Sequence, residues 1–188
     1  MKRLPLLLTS LRAALAPVVL WLGFHGPAQV ALGACLVVAL LSDIFDGIIA
    51  RRLGVATPAL RRFDSIADTL FYVAALAAAW QLHPQAIRER WWPIGVLVAL
   101  ELVRYAVDWL KFRREAAYHM WTSKAWGLCL FAGFFALLAL DSDAWAFDLA
   151  IWAGIIADLE GLAISFILDR WQSDVPSFVH ALRQRSRP

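Results

Sequence analysis

Residues 42–68 read SDIFDGIIARRLGVATPALRRFDSIAD and place Asp43, Asp46, Asp64 and Asp68 where two otherwise apolar segments meet a short, arginine-bearing connection. On a helix, Asp43 and Asp46 share a face, as do Asp64 and Asp68 at a spacing of one turn. If the two helices are antiparallel neighbours, the four carboxylates converge. Such a cluster is a hard-oxygen cage for divalent cations, and without neutralisation it is costly in apolar surroundings.

The surroundings are apolar. The chain has 188 residues, of which 61% are hydrophobic, and its mean hydropathy is +0.62, which excludes an ordinary soluble domain. Six apolar segments of roughly spanning length lie at 5–24, 28–50, 60–81, 91–110, 120–140 and 144–168. Gly26-Pro27, Gly54 to Pro58, His83-Pro84 and Asp141 to Asp143 mark the breaks between them. Trp91, Trp92, Trp121 and Trp145 fall near segment ends, where tryptophan suits the membrane interface. Cys35 and Cys129 lie inside apolar segments and read as small hydrophobes. His25, His83, His119 and His180 fall near loops or the tail and read as surface residues. The opening MKRLPLLLTSLRAALA imitates a secretory signal, but Arg12 interrupts its apolar run and Pro17 to Phe24 continue it; an uncleaved first span is expected.

Basic residues give an orientation, because cytoplasmic loops carry the excess of Lys and Arg. One side collects Lys2, Arg3, Arg12, Arg51, Arg52, Arg61, Arg62, Lys111, Arg113, Arg114, Arg183, Arg185 and Arg187, the other Arg88 and Arg90. The expected fold is therefore an all-α integral membrane protein: a six-transmembrane-helix bundle with cytoplasmic N- and C-termini. Residues 1–168 form the transmembrane domain and 169–188 a basic cytoplasmic tail. At a rise of about 1.5 Å per residue, Asp43 lies about 12 Å from Arg51 along its helix, so the acidic cluster is a shallow pocket at the cytoplasmic face. Glu101, Arg104, Asp108, Lys124, Asp158 and Glu160 fall on the same side of their segments. Intramembrane ionisable residues face a bundle interior or water, so a polar cavity open to the cytoplasm is expected. The tail, with Trp171, Phe178, Val179 and Leu182 beside its arginines, reads either as an amphipathic segment on anionic lipid or as a frayed basic end.

Clustered carboxylates suit Mg²⁺ or Mn²⁺, which complete their shells with substrate phosphates, neutralise a diphosphate and raise the acidity of a hydroxyl. Phosphoryl-group transfer follows. Gly47 and Ala50 clear a small-residue strip beside Asp46, and Arg51 offers a forked donor to phosphate; close helix packing explains such a strip equally well. A purely structural alternative has the aspartates capped by Arg51, Arg52, Arg61 and Arg62. Arg104 and Lys124 suit ion pairs with Asp108, Asp158 or Glu160, or an acceptor or lipid phosphate.

The series Asp43, Asp46, Gly47, Ala50, Arg51, Asp64 and Asp68, at these spacings, resembles the signature of the CDP-alcohol phosphatidyltransferase family. The departure is Leu60, where the family has glycine. Leu8 to Pro17 is similar to the family's usual opening sequence, and Ser65 and Thr69 stand where many bacterial members have proline and lysine, which marks a divergent branch. The resemblance implies that Asp43, Asp46, Asp64 and Asp68 hold divalent metal, two ions of Mg²⁺ or Mn²⁺, and that Asp68 is also the base for the acceptor hydroxyl. It implies that Gly47, Ala50 and Arg51 line the cytidine diphosphate site, with Leu60 a donor-selectivity position. The implied reaction moves a phosphatidyl group from CDP-diacylglycerol to a hydroxyl acceptor with release of CMP, in a homodimer of the bacterial inner membrane, among membrane lipids and without nucleic acid. Three alternatives stay open: a soluble CDP-alcohol donor with a lipid acceptor, a cation-binding or transport protein without catalysis, and a degenerate relative kept as a binding partner.

Overall fold

The described residues form helices and no strand. They are 3–26, 28–55, 57–114, 118, 120–142 and 145–185 of a computed structural model. Lys2, Pro27, His119, Asp143 and Arg187, which enter the charge, turn and histidine readings, lie outside them. In chain order the helices are α1 (Leu4–His25), α2 (Gln29–Arg52), α3 (Pro58–Leu82), a short α4 (Pro84–Glu89), α5 (Trp91–Phe112), α6 (Trp121–Leu138), α7 (Trp145–Ile167) and α8 (Phe178–Arg185). The six expected segments correspond to α1, α2, α3, α5, α6 and α7. Five of these, all but α5, are long and apolar enough to cross a membrane, so the chain is a multi-pass integral membrane protein. Helix α5 has the length, at 22 residues, but carries Glu101, Arg104, Asp108 and Lys111 within it. The tail is helical over α8.

Two compact units divide the chain, Met1–Arg88 with Phe134–Ala144, and Glu89–Gly133 with Trp145–Pro188. In the first, α1 packs against both α2 and α3. Its buried residues, Pro5, Thr9, Arg12, Ala16, Val19 and Gly23, recur every three or four positions and form one inward stripe. Leu6, Leu7, Val18, Trp21 and Phe24 point outward. The polarity is inverted relative to a soluble helix, with a threonine and an arginine inside and large apolar groups outside, as lipid requires. Near its end α1 comes so close to α3 that a Cβ on Gly23 would fall 2.6 Å from the Ala78 Cβ. Alanines at 67, 74, 75, 78 and 79 give α3 the matching flat face.

The link from α2 to α3 is fixed by its sequence. Gly54 takes φ 63°, and its N–H donates to the Arg51 carbonyl at 3.2 Å while Val55 N–H reaches the Ala50 carbonyl at 3.0 Å. This pair of bonds closes a helix end around a left-handed glycine. Thr57 then caps α3, its hydroxyl accepting from Leu60 N–H at 3.2 Å, with Pro58 in the first turn. One short turn thus separates the helices that carry the aspartates.

In the second unit α7 packs against α5 and α8. Arg90, just before α5, forks onto Asp148 in the first turn of α7 at 2.6 and 2.9 Å; this hydrogen bonding holds its pKa above the ordinary arginine value. Tyr118, Met120, Ile164, Leu168, Val175 and Ala181 make a small apolar core beneath α8. Trp91, Trp92, Trp121 and Trp145 stand exposed at the starts of their helices, in keeping with interfacial positions.

Candidate active site

Asp43 and Asp46 on α2 and Asp64 and Asp68 on α3 converge, but not simply as facing neighbours. They meet around a side chain of α1. Arg12, only 1% exposed, donates through Nη1 to Asp43 Oδ1 at 3.0 Å and to Asp68 Oδ1. Through Nη2 it donates to Asp46 Oδ2 at 2.6 Å and Asp64 Oδ1 at 2.8 Å. Each terminal nitrogen therefore bridges one carboxylate of α2 and one of α3. One turn earlier on the same stripe, Thr9 Oγ1 lies 3.0 Å from both Asp46 Oδ2 and the Pro5 carbonyl, and can give its single proton to either.

The four acids differ in access. The Asp46 side chain is 5% exposed, whereas Asp43, Asp64 and Asp68 keep 46%, 34% and 39%. Three carboxylates thus open outward around a closed fourth. Asp43, Asp64 and Asp68 can each offer an oxygen within 4.8 Å of the others. Trans ligands of a Mg²⁺ with bonds of 2.0–2.1 Å stand roughly 4 Å apart, so small side-chain adjustments would bring this all-oxygen set onto one ion. The donor chemistry fits Mg²⁺ or Mn²⁺ and disfavours softer metals.

The small-residue strip is next to the cage. Ala50 is buried, and a Cβ added to Gly47 would stand 3.4 Å from Arg51 Nη1 and 3.7 Å from Nη2. These are ordinary contact distances: the guanidinium folds back over the helix beside the glycine, which leaves the backbone there without a side chain. Leu60 is half-buried in the first turn of α3, one turn before Asp64 and two before Asp68 on the same face. Any group approaching the carboxylates along α3 passes its isobutyl side chain.

Arg104 and Lys124 lie in the other unit. Arg104 Nη2 donates to Glu101 at 2.7 Å, and Nε stands 3.2 Å from buried Asp158, so the ion-pair reading describes it. Lys124 is exposed, its ammonium 4.8 Å from the Trp121 ring centroid. Both cysteines are free, as expected.

Sequence reasoning counted Arg12 among the cytoplasmic charges and missed it as part of the site. It is not a loop charge but the centre of the cluster. The signal was present: an arginine inside an apolar span, three residues after a threonine, is an intramembrane ionisable group and needs acidic partners. The acids also find a cation on a third helix, a possibility that a cap built from the arginines of residues 51–62 did not include.

A family model described as CDP-alcohol phosphatidyltransferase matches residues 2–159, which takes in α1 to α6 and the first part of α7. No curated protein and no solved structure matches the chain.

Proposed function

The chain belongs to the CDP-alcohol phosphatidyltransferase family, and from that premise we propose that it transfers a phosphatidyl group from CDP-diacylglycerol to a hydroxyl acceptor, releasing CMP. A bond forms from the acceptor oxygen to the phosphatidyl phosphorus. The bond from that phosphorus to the bridging oxygen breaks, CMP leaves with the electron pair, and the acceptor proton passes to Asp68. What supports this reading is the convergence of three outward-open carboxylates, Asp43, Asp64 and Asp68, beside the Gly47–Arg51 strip.

Mg²⁺ or Mn²⁺ held by these acids, with Asp46 alongside, would neutralise the diphosphate and the departing phosphate. The protein's own residues divide the remaining work. Asp68, on the open side of the cage, is the base, because it combines a reachable carboxylate with a place beside the diphosphate. Arg51 and the backbone at Gly47 and Ala50 bind the cytidine diphosphate, and Leu60 bounds the donor's path. Lys124, exposed at the start of α6, is the candidate for an acceptor or lipid phosphate, while Arg104 serves its ion pairs with Glu101 and Asp158.

The distribution of arginines around the α2–α3 link supports a cytoplasmic site; the reading is completed by α5 as a sixth span, both termini inside, and a bacterial inner membrane. Residues 1–168 are the catalytic domain of a homodimer, and 169–188 its tail. Purified protein given Mg²⁺ or Mn²⁺, CDP-diacylglycerol and a panel of alcohols should release CMP. Competition by soluble CDP-alcohols identifies the donor. No release with any pair, together with metal-driven flux in vesicles, would replace the transferase by a transporter.

A further inference from the structure

Arg12 is connected more completely than a tether between helices needs. Both terminal nitrogens bond two carboxylates each, so all four Nη hydrogens are committed, while the buried Nε has no hydrogen-bond partner. The guanidinium is thus aimed at the carboxylates at the expense of its own inner edge. Its ion pairs set four acids against one base, leaving an excess of three negative charges when all are ionised. Without this cation, four carboxylates on two helices would repel one another around the buried Asp46.

The acids it bonds include those a metal needs. Nη1 holds Asp43 Oδ1 and Asp68 Oδ1 and Nη2 holds Asp64 Oδ1, and these three acids form the trio whose oxygens lie within reach of a single ion. A dication on these acids competes with the N–H groups for carboxylate lone pairs and is repelled by the guanidinium beside it. Asp46 is different: buried, backed by Thr9 and outside the trio, it can keep its bond to Nη2.

We propose that Arg12 is the resident counter-cation of the cage: in the metal-free protein its guanidinium staples Asp43 and Asp46 of α2 to Asp64 and Asp68 of α3, and it releases Asp43, Asp64 and Asp68 when a divalent ion binds. The proposal rests on the metal reading above. Arg12 is accordingly a positioning residue that keeps the acids gathered before metal arrives, and its withdrawal sets the apparent metal affinity. A merely structural arginine would lower stability equally with and without metal and would leave affinity unchanged.

The test uses full-length protein in lipid nanodiscs, with Mn²⁺ binding followed by electron paramagnetic resonance and thermal unfolding followed with chelator or saturating Mn²⁺. Arg12→Gln is expected to bind Mn²⁺ about tenfold more tightly or better, since a competing positive charge is removed. It should melt well below wild type in chelator and approach wild type in Mn²⁺. Arg12→Lys, which keeps the charge but cannot fork, should lie between the two in affinity. Equal or weaker binding by Arg12→Gln, with wild type still binding, overturns the counter-cation role and leaves the metal site standing. If Arg12→Gln does not fold, Arg12→Lys decides on the same terms. Asp64→Asn separates the two readings: if it leaves wild-type Mn²⁺ binding untouched, or if neither wild type nor the Arg12 variants bind, the metal reading itself falls and this proposal with it.

Discussion

Arg12 on α1 and Arg104 on α5 are both arginines set among carboxylates, and the acids around them differ in what they leave open. Around Arg104 the neighbours serve some oxygens and leave others: Glu101 Oε2 and both oxygens of Asp158 are buried without a hydrogen-bond partner among the described residues. Glu101 and Asp158 take the guanidinium, Asp108 accepts from Ser165 Oγ at 2.5 Å and from Tyr118 OH at 3.3 Å, and Glu160 accepts from Thr122 Oγ1 at 2.5 Å and Phe178 N–H at 3.1 Å. Lys111 adds a second cation, its Nζ on the Ser165 carbonyl at 2.8 Å. Hydroxyls and the first amide of α8 serve Asp108 and Glu160 alone. Around Arg12, one guanidinium and one threonine serve four acids, and three of these remain open outward. The difference is access: the lone pairs left over on Asp158 are sealed inside the protein, whereas those on Asp43, Asp64 and Asp68 open outward and can take a ligand.

The contrast predicts which readout each cluster controls. Asp68→Asn should lower CMP release by about 10²–10⁴-fold, the range for loss of a positioned base, while the variant keeps wild-type helicity and elution in detergent. Retained turnover would remove Asp68 from the chemistry and erase the functional half of the comparison. In the other cluster, Arg104→Met should act on stability, lowering it by about 3–5 kcal/mol, because Asp158 is fully buried and loses its counter-charge. Thermal unfolding measures this, and Arg104→Met/Asp158→Asn should recover part of the loss. Equal instability of the double variant would mean that the pair is not coupled.

Ser165→Ala removes a 2.5 Å donor to Asp108 and should cost about 1–3 kcal/mol of stability with little effect on turnover per folded molecule. Tyr118 extends the same point to pH. Burial, with the Asp108 carboxylate opposing a second negative charge, pushes its pKa up to about 12, against the bonding to Ser165, which lowers it. The folded state thus holds this proton more tightly than the unfolded chain does. The stability it contributes is fully present below about pH 10 and is lost as pH rises towards about 12. Tyr118→Phe should flatten that alkaline fall in a pH series of unfolding midpoints. An unchanged slope would place the loss elsewhere.

Much of this was legible in the chain. Apolar segment lengths located the six long helices to within a few residues, because lipid demands an unbroken run and the breaks carry Gly, Pro or paired charges. Spacing identified the four aspartates. Arg12 was hidden because its partners are 31 to 56 residues away, and no helical period connects them; only packing of α1 against both α2 and α3 does. The short α4 escaped because six residues leave no periodic signal. Glu160 was readable as an inner charge, but not as the acceptor for the first amide of α8, since that pairing depends on how the tail returns to α7.

Leu60 carries the smallest expected change in stability and the finest test of the contrast. Its N–H is the one that Thr57 caps, and glycine retains an N–H, so Leu60→Gly keeps the cap and loses only helix propensity and a half-buried side chain. The propensity loss is about 0.5–1 kcal/mol. A scaffold residue would show nothing more. If Leu60 instead bounds the donor's path along the face of Asp64 and Asp68, removing its isobutyl group widens that path, and discrimination of about tenfold is what a few methylenes supply in an apolar pocket. The expected result is therefore a donor KM for CDP-diacylglycerol lowered by about that factor, or acceptance of bulkier CDP-alcohols, with a nearly unchanged unfolding midpoint. An unaltered donor profile would assign Leu60 to the scaffold and show that the open side of the cage is reached by a route that does not cross α3.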